Sequence, residues 1–445
     1  FETNRGCPFK CTFCVWGVSA LNKVRKYNLE RVYAEMDYVA ERFPEATAWI
    51  MADANFGIMK RDVEIAQKIH DIKARTPALR NILIWESKNT SKRNVEIAQI
   101  MQDQHDEQLI AVQSLDTKAL EFVKRNNIKF DHMPEKIKNL HDVGSRVITH
   151  VLTGLPGETY EGQLETLRKC FALQFDYIAI FSILLVPGSE METKESRETH
   201  GIKTKYRVRQ GGYGEYRGLK VIDSEEIIRS NNAISEEEML FIRGVHWLIW
   251  FGWNHEFLKP LYMFVFEEYD LNPVDLILSM LTGDKKNFPE IETLFDDFYA
   301  QAETEWLPTR EALNEHFLSD GEWEKLLKNG FSKVEFSFNA KLIMDRSLFM
   351  SLLNYICEIV ERDTGDRKIR EVADILMASR LEVDDIVSDQ CESAKTLTIQ
   401  NPIGRYFVPR SRKPHDADSR SLVFSKPKSE VDIARKRLIE FGLEE

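Results

Sequence analysis

From residue 28 to about 183, short apolar runs alternate with stretches of helical period. Asn28 stands as a cap before Leu29, Val32, Met36, Val39 and Phe43, spaced as one face of an amphipathic helix. A strand is predicted at 48–52. The cycle then repeats: a helix near 60–75, a strand at 82–85, a helix near 92–103 and a strand at 109–112. Helical pieces at about 117–125 and 134–143 follow, the second stopped by Gly144. A strand at 147–152, a helix near 159–173 and a strand at 177–184 close the series. Strands joined by helices of this length imply parallel, right-handed crossovers with every strand's carboxyl end on one edge. With a strand leading into Thr3 the count is six, short of the eight of a closed barrel. The expected fold is α/β, a partial (β/α)6 TIM-like barrel over 1–190, with a doubly wound open sheet as the alternative.

Beyond Pro187 the alternation stops. Residues 191–232 read as a connector or hairpin insertion and 233–395 as a mainly α-helical domain. Residues 396–445 read as an extended tail with a final helix at 429–442. The aromatic run Val245–Trp253 reads as a buried core helix, since Glu256 and Lys259 end it short of a membrane span. His246 and His255 read as core or surface residues. The basic segment Lys203–Arg217 reads either as a solvated hairpin or as a holder of phosphate or an acidic sugar.

A net charge of -12 argues against a broad nucleic-acid footprint, which needs a basic face. No signal peptide opens the chain and no stretch spans a bilayer, so the expected compartment is cytoplasmic. Six cysteines do not make a secreted disulfide framework. Cys170, Cys357 and Cys391 are scattered and carry no assigned chemistry.

Cys7, Cys11 and Cys14 are different. Their C-x3-C-x2-C spacing lets one loop wrap a four-iron cluster with three thiolates, leaving one iron open to a small ligand. Three cysteines with a distant histidine would also serve zinc. Polar groups recur where strands end: Asp53 and Asn55, Glu86-Ser87-Lys88, Gln113-Ser114, Thr153 to Glu158, and Pro187-Gly188-Ser189. Barrel enzymes build their active sites on that edge. Each member alone also fits a helix cap or a turn.

Glu2-Thr3-Asn4-Arg5-Gly6-Cys7-Pro8, running into Cys11, Phe13, Cys14 and Trp16-Gly17, resembles the opening of the radical S-adenosylmethionine (SAM) superfamily. Lys23-Val24-Arg25-Lys26, Ala52-Asp53-Ala54-Asn55-Phe56-Gly57, Gln113-Ser114, Arg125-Asn126 and Gly154-Leu155-Pro156-Gly157-Glu158-Thr159 extend the resemblance to its cobalamin-binding branch. The resemblance is strong over about 1–190 and weak beyond. It implies a 4Fe-4S cluster on Cys7, Cys11 and Cys14, with SAM chelating the fourth iron. Reductive cleavage of SAM would yield a 5'-deoxyadenosyl radical. Phe13 would lie beside the adenine. Asp53 and Asn55 occupy the place of the family's glycine-glycine-glutamate stretch and depart from it, so contact to the SAM amino group rests on backbone carbonyls. Ser87 and Arg125 are candidates for the SAM carboxylate, Gln113 and Ser114 for the ribose. Gly154 would allow close backbone approach, and Glu158 either contacts the cofactor or begins the following helix. No catalytic side chain is assigned.

The resemblance further implies a small-molecule or glycoconjugate substrate, a reducing partner such as flavodoxin or ferredoxin, and cobalamin-dependent methyl transfer. No Asp-x-His-x-x-Gly loop is present to ligate cobalt, so the corrinoid would sit on a domain upstream of Phe1. A cobalamin-free dehydrogenation, epimerisation or rearrangement is the alternative reaction. A non-catalytic iron-sulfur or electron-transfer protein is the alternative of another class.

Overall fold

The computed structural model describes residues 1–18, 22–86, 92–102, 107–319, 321–379, 394–399, 402–407 and 420–425. They form two compact units. The first holds Phe1–Lys203 with Ser230–Ser235, the second Thr204–Arg229 and the helices from Glu236 onward.

In the first unit, β1 (Asn4–Arg5) pairs antiparallel with β2 (Arg25–Lys26). Then α1 (Leu29–Arg42) begins where the Asn28 side chain accepts a hydrogen bond from the Glu30 amide. It buries Val32, Met36 and Ala40, whereas Phe43, expected on the same face, is exposed because it lies past the last helical residue. The next elements are β3 (Ala48–Ile50), α2 (Asp62–Arg75), β4 (Asn81–Leu83) and α3 (Lys92–Met101). Strands β3 and β4 pair in parallel. Phe1 lies alongside β3 in the pattern of a parallel ladder, its amino group donating to the Ile50 carbonyl at 2.6 Å and its carbonyl accepting from Ala52 at 2.6 Å. One face of this sheet is sealed by Met36, Trp49, Met51, Ile65, Ile69 and Ile82.

A second parallel ladder comprises β5 (Glu107–Leu109), β6 (Arg146–Thr153) and β7 (Tyr177–Ser182), joined through α4 (Thr117–Phe122), α5 (Met133–Asp142) and α6 (Tyr160–Ala172). Along β6, Val147, Thr149, Val151 and Thr153 are buried while Ile148, His150 and Leu152 are half-buried, the period of two of a strand with one sealed face. Among the described residues no strand ladder joins β4 to β5. Strands β4 and β5 lie one to three residues earlier than the apolar runs 82–85 and 109–112 suggest. The pairing continues past them as single bridges, Phe56 with Glu86 and Gln113 with Val151.

The segment expected as connector or hairpin insertion divides. Helix α7 (Lys194–His200) belongs to the first unit, while β8 (Lys203–Tyr216) and β9 (Leu219–Ser230) form a long hairpin grouped almost wholly with the second. Val208 on β8 packs with Leu313, Trp323 and Leu326, which accounts for the grouping. The rest of the second unit is helical up to Ser379, beginning with α8 (Glu236–Ile249), which runs into a π turn at Trp250–Asn254. Trp247 is fully buried, stacks on Phe298 at 4.3 Å and donates through Nε1 to Asn339 at 2.8 Å. A Cβ on Gly252 would stand 2.6 Å from the Tyr262 ring, so this helix packs too tightly for any larger residue there. The aromatic run is thus core, and no described helix is long and apolar enough to cross a membrane. His246 is held neutral, its pKa pushed down to about 3 by burial. In the expected tail, 394–399 and 420–425 pair antiparallel. The expected helix at 429–442, Cys391, Ser87 and Lys88 lie outside the described residues.

Candidate active site at the strand ends of the first unit

The loop carrying Cys7, Cys11 and Cys14 is pinned from two sides. The Thr12 amide donates to the Val123 carbonyl at 3.2 Å, and the Met191 amide donates to the Thr12 carbonyl at 2.9 Å. The Cys14 amide turns back to the Cys11 carbonyl at 3.1 Å. Cys11 is buried, and Cys7, Phe13 and Cys14 are half-buried.

Asp53, after β3, is wholly buried and anchors the start of this loop. One carboxylate oxygen accepts from the Thr3 and Asn4 amides at 2.6 and 3.0 Å; the other accepts from the Thr3 hydroxyl and from Asn4 Nδ2 at 2.9 Å. Burial raises its pKa and those hydrogen bonds oppose the rise. The side chain is therefore fully engaged, and only its backbone remains for a ligand. Two residues on, Asn55 Nδ2 donates to Cys7 Sγ at 3.1 Å. The turn that follows is fixed by Asp62, which accepts from the Gly57 and Met59 amides at 2.9 and 2.8 Å, and by Arg93, which donates to the Gly57 and Ile58 carbonyls. Arg61 ties it to the cysteine loop through the Tyr27 carbonyl and, at 2.6 Å, the Thr3 carbonyl.

After β5, Gln113 takes the left-handed conformation at φ 63°. Its backbone is clamped on both sides, donating to the His150 carbonyl and accepting from the Leu152 amide, each at 2.7 Å. Its side-chain oxygen is buried with no hydrogen-bond partner. Ser114 is turned inward: its hydroxyl meets Glu158 Oε1 at 2.5 Å and accepts from the Asp116 amide at 2.9 Å. Glu158, almost wholly buried, also accepts from the Thr166 hydroxyl at 3.4 Å, and from the Gln163 amide at 2.8 Å in the amide orientation that satisfies both groups. Burial pushes its pKa up to about 8, with Asp116 adding to the rise and the Ser114 and Thr166 bonds opposing it. Ser114 and Glu158 thus weld two loops together. Gly154 sits at φ 92°, and its carbonyl accepts from Asn231 Nδ2 at 3.1 Å.

Arg125 is buried, and its fork is occupied. Nε donates to Asn127 Oδ1 at 2.9 Å, Nη2 to the Ala111 carbonyl, and Nη1 points at Cys11 Sγ, 3.9 Å away. Burial lowers its pKa, while Cys11, Cys7 and Cys14 in turn oppose the fall. Asn127, which no spacing singled out, holds the whole edge by donating to the Val112 and Ser114 carbonyls at 2.7 and 2.8 Å. The structure thus brings Asn55 and Arg125 to the cysteine sulfurs, and Ser114 to Glu158.

These residues fit a cluster. Among the described residues, no three His, Cys, Asp or Glu converge as single-ion ligands. A four-iron cube takes each thiolate on a different iron, and the C-x3-C-x2-C loop supplies three of them. An amide and a guanidinium directed at sulfur are donors that suit charged thiolates.

The sequence profile of the Radical SAM superfamily matches residues 1–170. The chain is 28% identical over 279 residues to 2-(S-pantetheinyl)-carbapenam-3-carboxylate methyltransferase of Streptantibioticus cattleyicolor, covering 61% of this chain and 40% of that protein. It is 29% identical over 260 residues to the cobalamin-dependent radical SAM methyltransferase TokK of Streptomyces tokunonensis, covering 56% and 37%. The chain therefore spans about 40% of the length of these relatives. Among solved structures, the radical SAM methyltransferase TsrM of Kitasatospora setae, with cobalamin and a 4Fe-4S cluster bound, superposes with a TM-score of 0.39 at 15% identity, covering 46% of this chain and 38% of that one.

Proposed function

With its residues 1–170 belonging to the radical SAM superfamily, and its cofactors therefore a 4Fe-4S cluster and SAM, we propose that this chain is the catalytic part of a cobalamin-dependent radical SAM methyltransferase acting on a small molecule or glycoconjugate. One observation carries the reaction type: similarity to the two methyltransferases runs over 279 and 260 residues, well beyond the 170 of the superfamily match. Cys7, Cys11 and Cys14 hold the cluster at the mouth of a partial (β/α)6 barrel. When bound, the cluster and SAM would supply radical hydrogen-atom abstraction, and a corrinoid would supply the methyl transfer.

The chain's own residues bind, orient and shield. Asp53, fixed by Thr3 and Asn4, presents the 53–55 backbone to the SAM amino group. Gln113 offers a buried, unpartnered oxygen that suits a ribose hydroxyl donor. Gly154 allows a close backbone approach, and Phe13 lies beside the adenine. The open sheet faces carry Ile50, Leu83, Trp85 and Phe181, about half exposed, with His150 packed edge-on against Phe181. Burial pushes the His150 pKa down to about 4, so its imidazole is neutral at physiological pH. Such a floor favours an uncharged part of the substrate.

The test is anaerobic reconstitution of the chain with iron and sulfide, then reduction in the presence of SAM. About one cluster per chain and release of 5'-deoxyadenosine are expected, both abolished by Cys7→Ala, Cys11→Ala or Cys14→Ala. A full cluster that leaves SAM intact would favour an electron-transfer protein. With the full-length protein and SAM deuterated on its methyl group, a labelled product is expected. Turnover that leaves every product unlabelled would point to the cobalamin-free reactions.

A further inference from the structure

We propose that Asn55 and Arg125 tune the reduction potential of the cluster by hydrogen bonding to the sulfurs of Cys7 and Cys11, an inference that rests on the cluster reading above. The family resemblance offers Arg125 to the SAM carboxylate and only the backbone around Asn55 to the SAM amino group; the geometry directs both side chains at sulfur.

The Asn55 amide stands 3.1 Å from Cys7 Sγ and is 5% exposed. It cannot swing away easily. Its turn is stapled by the Ile58 amide on the Asn55 carbonyl at 3.3 Å and by the Phe56 amide on the Trp85 carbonyl at 2.8 Å. Arg125 is held more firmly still. With Nε on Asn127 and Nη2 on the Ala111 carbonyl, the guanidinium plane is set and its Nη1 edge faces Cys11. Among the described residues no carboxylate pairs with Arg125. A buried cation without a carboxylate is costly, and thiolate sulfurs are the counter-charge within reach.

A cluster gains one negative charge on reduction, and part of it resides on the ligand sulfurs. Donors and cations fixed beside those sulfurs stabilise the reduced form more than the oxidised one, which raises the potential. Because both groups are anchored before the electron arrives, little reorganisation opposes them. Arg125 and Asn55 act through the sulfurs, so they are positioning residues rather than catalytic ones.

The test is an EPR-monitored potentiometric titration of the reconstituted full chain without SAM, with iron and sulfide counted first. At the wild-type midpoint, Asn55→Ala and Arg125→Gln are each expected to lower the reduced-to-oxidised ratio by about tenfold, equivalent to 59 mV for one electron. Arg125→Lys, which keeps the charge, is expected to lose less. If both uncharged variants carry full iron and stay within about twofold of wild type, the inference is overturned while the cluster reading stands. Should the variants lose iron, pulsed EPR on the reduced wild type, labelled with ¹⁵N in asparagine and arginine, decides. Coupling from both labels is expected, and its absence overturns the inference. A wild type that takes up no cluster overturns both readings.

Discussion

Each unit of this chain buries a polar network, and the two are built on opposite plans. In the second unit, Glu305 accepts from Arg207 at 2.9 Å and from Arg243, and Arg243 reaches Glu335 at 2.7 Å. Arg207 also reaches Glu225 at 3.0 Å, and the Trp306 ring is flanked by the guanidinium groups of Arg207 and Arg229 at 4.5 and 4.9 Å. Charge answers charge there: Arg207, Arg229 and Arg243 each reach a carboxylate. In the first unit, Asp53 is satisfied by uncharged donors alone, Arg125 faces sulfur, and Gln113 keeps a buried oxygen free. Buried charges that meet opposite charges of the same chain hold a fold. An open network leaves specific valences for something not made of protein. The contrast separates architecture from chemistry within one chain.

The sharpest way to break it is Arg243→Met. Burial would depress the pKa of Arg243, but Glu335 and Glu305 raise it overall, and Glu335 is correspondingly lowered by Arg243. Removing the cation leaves Glu335 buried without its arginine and Glu305 with Arg207 alone, at a cost of about 3–5 kcal/mol. Denaturant unfolding should show that loss. Iron bound per chain, measured under conditions where the variant stays folded, should match wild type. A variant that unfolds normally but loses its iron would mean that the ionic network serves the cluster after all.

Next in size is a pH effect from the first unit. The carboxyl of Glu158 is raised from the ordinary 4.5 to about 8, mainly by burial, with Asp116 as the charged neighbour and Ser114, Thr166 and Gln163 around it. The folded state therefore keeps a proton that the unfolded chain releases above about 4.5. The stability associated with that proton is complete below 4.5, declines as pH rises, and is lost by the time pH passes 8. Each pH step of one within that window removes at most about 1.4 kcal/mol, so the whole decline amounts to a few kcal/mol. Glu158→Gln, neutral at every pH, should flatten this slope in thermal unfolding between about pH 5 and 8. A variant with the wild-type slope would show that Glu158 does not titrate in that window.

Much of this is legible in the sequence, and the limits follow a physical line. The period of α1, the cap at Asn28, the alternation that yields β6 and the cysteine triplet are local, and local pattern reports them. The clustering of polar groups at strand ends also follows, because parallel crossovers put those ends on one edge. What pairs with what on that edge does not follow. Asp53 meets Thr3 and Asn4 from about fifty residues away, and Ser114 meets Glu158 from 44. Such pairings depend on which loops the sheet order makes neighbours. Nothing in Arg125-Asn126-Asn127 marks the second asparagine as the clamp, since both are amides in one loop. The basic run from Lys203 gives no sign that its cations find carboxylates at Glu225 and Glu305.

That run supplies the smallest and most discriminating test. Arg207 and Arg209 lie two apart on β8, so a period of two puts them on the same face, and sequence treats them alike. Depth along the hairpin separates them. The Arg207 side chain is 10% exposed between Glu225, Glu305 and Trp306, whereas that of Arg209, nearer the tip, is 63% exposed beside Asp223 at 3.1 Å. An exposed pair gains little in water and costs side-chain entropy to hold, so Arg209→Ala should change unfolding stability by no more than about 1 kcal/mol. Raising the salt should erase even that, because surface attraction is screened over a Debye length of about 8–10 Å at moderate ionic strength. Arg207→Ala leaves Glu305 short of a partner inside the network and should cost several times more, with little salt dependence. Paired denaturation curves at low and high salt measure both. Equal losses at the two positions would mean that the hairpin tip is covered in the native protein, and the basic run would then be an interface rather than a solvated edge.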